Sequence, residues 1–198
     1  MKRDTTHNLI DTAQKQDFFL TDSPPGLRLK GSPYNLSSPA SPTLLLRKQM
    51  ARVGQWMTSL SFHPTSLTNE AGTVVYWNYL TYSSIGIRLS REDPSKRVVK
   101  FKPAGDGEEI TKELKTDGTV RLFVRCEEEC YKFGFSALED AENGEKAEST
   151  WIGEVSIETM TVDPPVGAAF TGMMLGLYAF GDGEPCLEPA DFYFAEWL

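Results

Sequence analysis

Two kinds of side chain that carry much of enzyme chemistry are scarce in this sequence. It has two histidines, His7 and His63, and three cysteines in 198 residues. Neither histidine has a neighbouring nucleophile in the sequence, so no triad-like arrangement is indicated. Three cysteines, an odd count, do not make a disulfide framework. No second Cys or His pair is present to complete a zinc site around Cys126 and Cys130. Long apolar runs are missing too: no stretch of about 18 apolar residues exists to span a bilayer. Basic charge is in deficit, with 20 Lys and Arg against 28 Asp and Glu, a net charge of -8. That balance argues against a nucleic-acid partner, which wants a basic face. A Gly-rich phosphate loop and a G-x-S-x-G elbow are both absent.

What is present is strand. Segments such as "GLRLKG", "GQWMTSLSFHP", "AGTVVYWN", "SSIGIRLS", "RVVKFKP", "TVRLFVRC" and "ADFYFAEWL" recur along the chain with turn residues between them. Strand-plus-turn units of about 8–12 residues predict an all-β sandwich or barrel. A body of this size buries roughly 70% of its extended-chain surface and needs neither disulfides nor metal to stay folded. Residues 17–198 read as one domain, with residues 1–16 as a loose N-terminal segment. Leu138 to Thr150, "LEDAENGEKAEST", reads as a solvated loop. The start, "MKRDTTHNLIDTAQKQ", lacks the apolar core of a signal peptide. A cytoplasmic location is therefore expected, with an extracellular one as the alternative.

In "TVRLFVRCEEECYKFGF", Val120, Leu122 and Val124 share one face, as do Tyr131, Phe133 and Phe135. Pairing Val124 with Tyr131 puts all six on the core side. That register leaves Cys126 and Cys130 on opposite faces or in the loop, hence as free thiols. The carboxylates cluster in loops, "DGEE", "CEEEC" and "LEDAENGE". A glycosidase pair must instead converge on a cleft from rigid elements, so no catalytic residue is assigned.

The remaining signal is aromatic. "VVYWNYLTYSS" holds Tyr76, Trp77, Tyr79 and Tyr82 around a hairpin. In "TYSSIGIRLS" the core takes Ile85, Ile87 and Leu89, which sends Tyr82, Ser84, Gly86 and Arg88 outward. Trp77, Tyr82 and Arg88 are the carbohydrate-binding candidates, forming a shallow groove on which a sugar ring could stack. The same face also suits protein docking, and the sequence leaves the two open.

"GLRLKGSPYNLSSPASPTLLLRKQ", "LSFHPTSLTNEAGTVVYWN" and "FTGMMLGLY…PADFYF" resemble the C-terminal concanavalin A-like module of glycoside hydrolase family 43 β-xylosidases and α-arabinofuranosidases. The resemblance runs from about Asp17 to Leu198, its elements in the family's order. It implies a jelly-roll β-sandwich of two antiparallel sheets closed by the P-A-D-F strand. In that family a five-bladed propeller precedes the module and carries the catalytic carboxylates. A loop of the module helps to rim the active site, and by the resemblance it falls near Gln49, Met50 and Arg52. The chain holds no propeller. The family's second acid after P-A-D-F is replaced by Tyr193, which leaves Asp17 and Asp191 as weak candidates for a structural calcium.

Three readings follow. The first is a non-catalytic, lectin-like module for xylo- or arabino-oligosaccharides. The second is a docking module, or a remnant, that packs on a separate glycosidase propeller. The third, an autonomous hydrolase, ranks last.

Overall fold

The computed structural model describes residues 10–11, 19–20, 26–137, 149–161 and 172–198. In chain order the strands are β1 (Ile10–Asp11), β2 (Phe19–Leu20), β3 (Leu27–Gly31), β4 (Thr43–Lys48), β5 (Gly54–Ser61), β6 (Glu70–Asn78) and β7 (Thr81–Leu89). There follow β8 (Arg97–Lys102), β9 (Ile110–Glu113), β10 (Val120–Cys126), β11 (Cys130–Ala137), β12 (Thr150–Ser156), β13 (Met174–Phe180) and β14 (Cys186–Trp197). A single helical turn, α1 (Ile157–Met160), follows β12.

The strands form two antiparallel sheets, packed face to face as a jelly-roll sandwich. The first runs β1-β4-β13-β6-β7-β8-β9 and the second β12-β11-β10-β5-β14-β3-β2. Inward residues of both sheets make one apolar core that includes Trp56, Leu60, Ile85, Phe101, Leu122 and Phe133. A polar tie crosses it. Trp56 Nε1 donates to Thr73 Oγ1 at 2.7 Å, and that hydroxyl donates to the Gly176 carbonyl at 2.7 Å. Indole and hydroxyl are thus both satisfied in the core, as buried polar groups must be.

The closing strand is an interior one. β14 lies between β5 and β3, and Leu198 and Gln55 exchange backbone hydrogen bonds of 2.8 and 2.9 Å. Phe192 is buried in the core, while the register shift between Phe192 and Phe194 turns Tyr193 outward at 40% exposure. β14 pairs with β3 through Cys186–Phe192 and with β5 through Asp191–Trp197, so each part of this aromatic strand has a partner strand against which its edge is protected.

One expectation changes. The β10–β11 hairpin pairs Val124 with Phe133 and Cys126 with Tyr131, two residues away from the register expected. A two-residue slip leaves every side chain on the same face, so hydrophobic alternation cannot detect it. The position of the turn decides it: Glu127 N–H donates to the Cys130 carbonyl at 2.9 Å, which sets Glu128 and Glu129 at the tip. Cys126 is consequently a core residue, and all three cysteines are free thiols. Of residues 1–16 only Ile10 and Asp11 are described, and they pair with Leu46 and Leu45 at the edge of the first sheet. Most of Leu138 to Thr150 lies outside the described residues.

Candidate functional site

The outer face of the first sheet divides into an apolar half and a polar half. Ser32 accepts from Gly181 N–H and Pro33 from Gly183 N–H, at 2.9 and 2.7 Å. Asp182, between those glycines at φ 47°, accepts from Asn35 Nδ2 at 2.7 Å. This clasp sets the following segment across the sheet and buries Leu36 against Leu44, Tyr178 and Phe180. The β4–β13 half of the face is thereby covered.

Beside it, over β6, β7 and β8, a groove of about 380 Å³ remains open. Strand alternation supplies its floor: Glu70 from β6, Tyr82, Ser84 and Arg88 from β7, and Lys100 and Lys102 from β8. Arg91 and Glu109 reach in from the connections flanking β8, and Asn35, Ser37 and Asp182 from the clasp.

The floor is a chain of linked charges, buried at Glu70, Lys100 and Arg88 and partly exposed at Glu109. Tyr178 Oη donates to Glu70 Oε1 at 2.7 Å, and Lys100 Nζ meets Glu70 Oε2 at 2.5 Å. Lys100 also lies 3.5 Å from Glu109, whose other oxygen is 3.3 Å from Arg88. Glu70 and Lys100 are nearly inaccessible, at 3% and 5% exposure. Burial alone raises the Glu109 carboxyl, but Lys100, Arg88 and Arg91 outweigh it and hold the group below its ordinary value. A general acid for glycoside hydrolysis needs the opposite shift. Two carboxylates converge on one lysine here, with Glu109 ionised at neutral pH.

The second end of the groove is a run of donors. Lys102 Nζ donates to Tyr82 Oη at 2.7 Å and stands 4.8 Å above that ring, and Tyr82 Oη shares a 2.6 Å hydrogen bond with Ser37 Oγ.

Tyr82 and Arg88 therefore line the same groove, but neither is an open platform. Each is 7% exposed, and the Tyr82 ring is flanked by Tyr76 at 6.2 Å and by Lys102. The Tyr82 ring is thus not an open stacking face, contrary to the ring-stacking expectation, and its hydroxyl is held between Lys102 and Ser37. Trp77 falls at the register shift between Tyr76 and Asn78, half-buried and apart from the residues lining the groove. Glu70, Lys100, Lys102 and Glu109 were missed by sequence reasoning. Alternation along "RVVKFK" carried a signal for the lysines, since Val99 and Phe101 inward set Lys100 and Lys102 outward.

Gln49, Met50 and Arg52 gather elsewhere, on the loop after β4. They line a hollow of about 320 Å³ with Tyr131, Ile157 and Met173. Tyr131 Oη donates to Gln49 Oε1 at 2.8 Å, and Gln49 Nε2 donates to the Ala51 carbonyl at 2.8 Å. That loop leaves Met50 77% and Val53 58% exposed. The two hollows share no lining residue.

Asp191 has a different task. Arg28 Nε and Nη2 donate to its two oxygens at 2.6 and 2.7 Å, tying β14 to β3. Both oxygens are thus engaged by a guanidinium, and Asp17 lies outside the described residues.

Comparison with known proteins agrees with this architecture. A curated relative, the non-reducing end alpha-L-arabinofuranosidase BoGH43B of Bacteroides ovatus, is 30% identical over 176 residues, covering 87% of this chain and 31% of the relative. The solved structure of Bacteroides ovatus Xyloglucan PUL GH43B superimposes with TM-score 0.80 at 28% identity, over 93% of this chain and 35% of that one. The xylan beta-1,4-xylosidase of Bacillus halodurans C-125 shares the fold, with TM-score 0.76 at 23% identity over 91% of this chain and 34% of that one. The chain thus spans about a third of the length of these relatives. The family profile of the beta xylosidase C-terminal concanavalin A-like domain matches residues 3–197, beginning well before Asp17, and the chain belongs to that family.

Proposed function

We propose that this domain is a non-catalytic carbohydrate-binding module, and that the groove over β6, β7 and β8 holds a xylan- or arabinan-derived oligosaccharide. The observation that carries the reading is the Glu70–Lys100–Glu109–Arg88 chain on an open groove floor. Fixed carboxylates and cations present both acceptors and donors to sugar hydroxyls, and charge-assisted hydrogen bonds are the stronger ones. With the Tyr82 ring covered, recognition is polar and side-chain directed.

Titration calorimetry of the purified chain with xylohexaose and with arabinoxylo-oligosaccharides tests this. Binding is expected at Kd of about 1 µM to 1 mM, corresponding to about -8 to -4 kcal/mol. Glu109→Gln, at a partly exposed position, weakens it. Absence of heat at millimolar sugar would overturn the reading.

A second reading rests on the other hollow. Exposed Met50 and Val53 beside it form an apolar projection of the kind that marks an interface. By resemblance the partner is a family 43 propeller. Co-migration of the chain with a separately produced propeller on size exclusion, lost in Met50→Asp, would favour docking.

A further inference from the structure

We infer that the groove selects an acidic sugar: an oligosaccharide carrying a uronic acid, its carboxylate received at the Lys102 end. The inference rests on the carbohydrate reading above and specifies its ligand class.

The charge balance of the groove departs from that of the chain. The protein carries a net charge of -8, yet the groove is lined by four cations, Arg88, Arg91, Lys100 and Lys102, against three carboxylates, Glu70, Glu109 and Asp182. The pairings show where the excess sits. Lys100 is engaged by Glu70 and Glu109, and Arg88 by Glu109. Among the described residues, Lys102 and Arg91 form no direct ion pair.

Lys102 is also held in place. Its ammonium donates to Tyr82 Oη and stands over the Tyr82 ring. A lysine has three N–H donors, so two remain for a ligand. The Tyr82 and Ser37 hydroxyls share one hydrogen bond, in which either is the donor, so one of their two hydroxyl protons remains for a ligand. The ammonium and the remaining hydroxyl proton make a donor pair with no carboxylate partner, on side chains fixed before any ligand arrives. A carboxylate is the acceptor that such a pair favours, and preorganised donors lose little entropy on binding.

The remaining polar groups argue for a sugar acid over a bare anion. Ser84, Asn35 and Asp182 line the same groove and suit neutral hydroxyls, and Asp182 and Glu109 would repel a multiply charged ion such as phosphate. One carboxylate on a polyhydroxylated chain meets the cationic end without meeting the acids.

The test compares a xylo-oligosaccharide bearing a single glucuronic acid with the neutral oligosaccharide of the same backbone length, by calorimetry at low salt. The acidic ligand is expected to bind about tenfold more tightly, with the advantage shrinking as salt rises. Ser37→Ala, which removes a hydroxyl of the donor pair, and Lys102→Gln, which keeps a donor for Tyr82, should each reduce the ratio of acidic to neutral affinity towards one. Circular dichroism checks that both variants fold. Equal affinity for the two sugars would overturn the inference and leave the carbohydrate reading standing. Inorganic phosphate binding as tightly as the acidic sugar would reduce the site to an undirected anion site and overturn it too. No binding of either sugar would overturn both.

Discussion

The phenol of Tyr178 donates to Glu70 across the outer face of the first sheet, 2.7 Å from oxygen to oxygen, and both residues are buried. The bond fixes one carboxylate oxygen of Glu70 so that the other faces Lys100. Burial, then the Glu70 charge, pushes the Tyr178 hydroxyl well above its ordinary value, so it remains a donor throughout the neutral range. Tyr178→Phe leaves a buried carboxylate oxygen short of a partner. It should lower unfolding free energy by about 1–3 kcal/mol, read as a shift in urea midpoint at constant slope. An unchanged midpoint would mean that Glu70 is satisfied by water.

Gly86 makes room for that contact. A Cβ at Gly86 would lie 2.3 Å from Tyr178 Oη and 2.8 Å from the Ala71 carbonyl. Its strand conformation is ordinary, so the glycine is required by proximity rather than by backbone angle. Gly86→Ala should destabilise by about 1–3 kcal/mol through overpacking. In a Tyr178→Phe background the added cost should be smaller, because the clashing oxygen is gone while the Ala71 carbonyl remains. Strict additivity of the two would refute the coupling.

How much of this could be read beforehand depended on the period of the signal. Alternation placed Tyr82, Ser84, Gly86 and Arg88 together on the outer face of β7, because a strand's two faces are fixed by counting. Counting could not place Leu36, which reaches that face from an irregular Ser- and Pro-rich stretch held by the Gly181–Gly183 loop far along the chain. Nor could it show that Glu70, Lys100 and Glu109 converge, since they come from β6, β8 and a connection. The hairpin register failed for a related reason: a slip of two preserves both faces, and only the turn distinguishes the alternatives.

Asp191 gives a prediction about metal. A calcium ion takes six to eight oxygen ligands, and both Asp191 oxygens are already bound by Arg28. Millimolar calcium and EDTA should therefore give the same Tm. Asp191→Asn should lower Tm modestly, through loss of the two-pronged tie between β14 and β3. A rise of Tm in calcium that disappears in Asp191→Asn would reverse that assignment and place a cation on the closing strand.

Alkaline pH should unfold the domain through its buried phenols and thiols. Burial pushes Tyr76 and Tyr131 up to about 12, with Tyr178 shifted in the same direction. Burial likewise pushes the Cys126 and Cys186 thiols up to about 12. In the unfolded chain these groups release protons near about 8.5 for Cys and about 10 for Tyr. Above those values the native state binds more protons than the unfolded state, so stability falls as pH rises. The contribution is fully present below about 8.5 and is lost in two stages as pH climbs towards 12, thiols first and phenols next. Urea midpoints measured from pH 7.5 to 11 should hold steady and then decline, steepening above pH 10. Tyr131→Phe removes one titrating phenol along with its hydrogen bond to Gln49. Its midpoint should start lower but decline less above pH 10. If wild type stays level to pH 11, the buried hydroxyls and thiols reach solvent more readily than their packing implies.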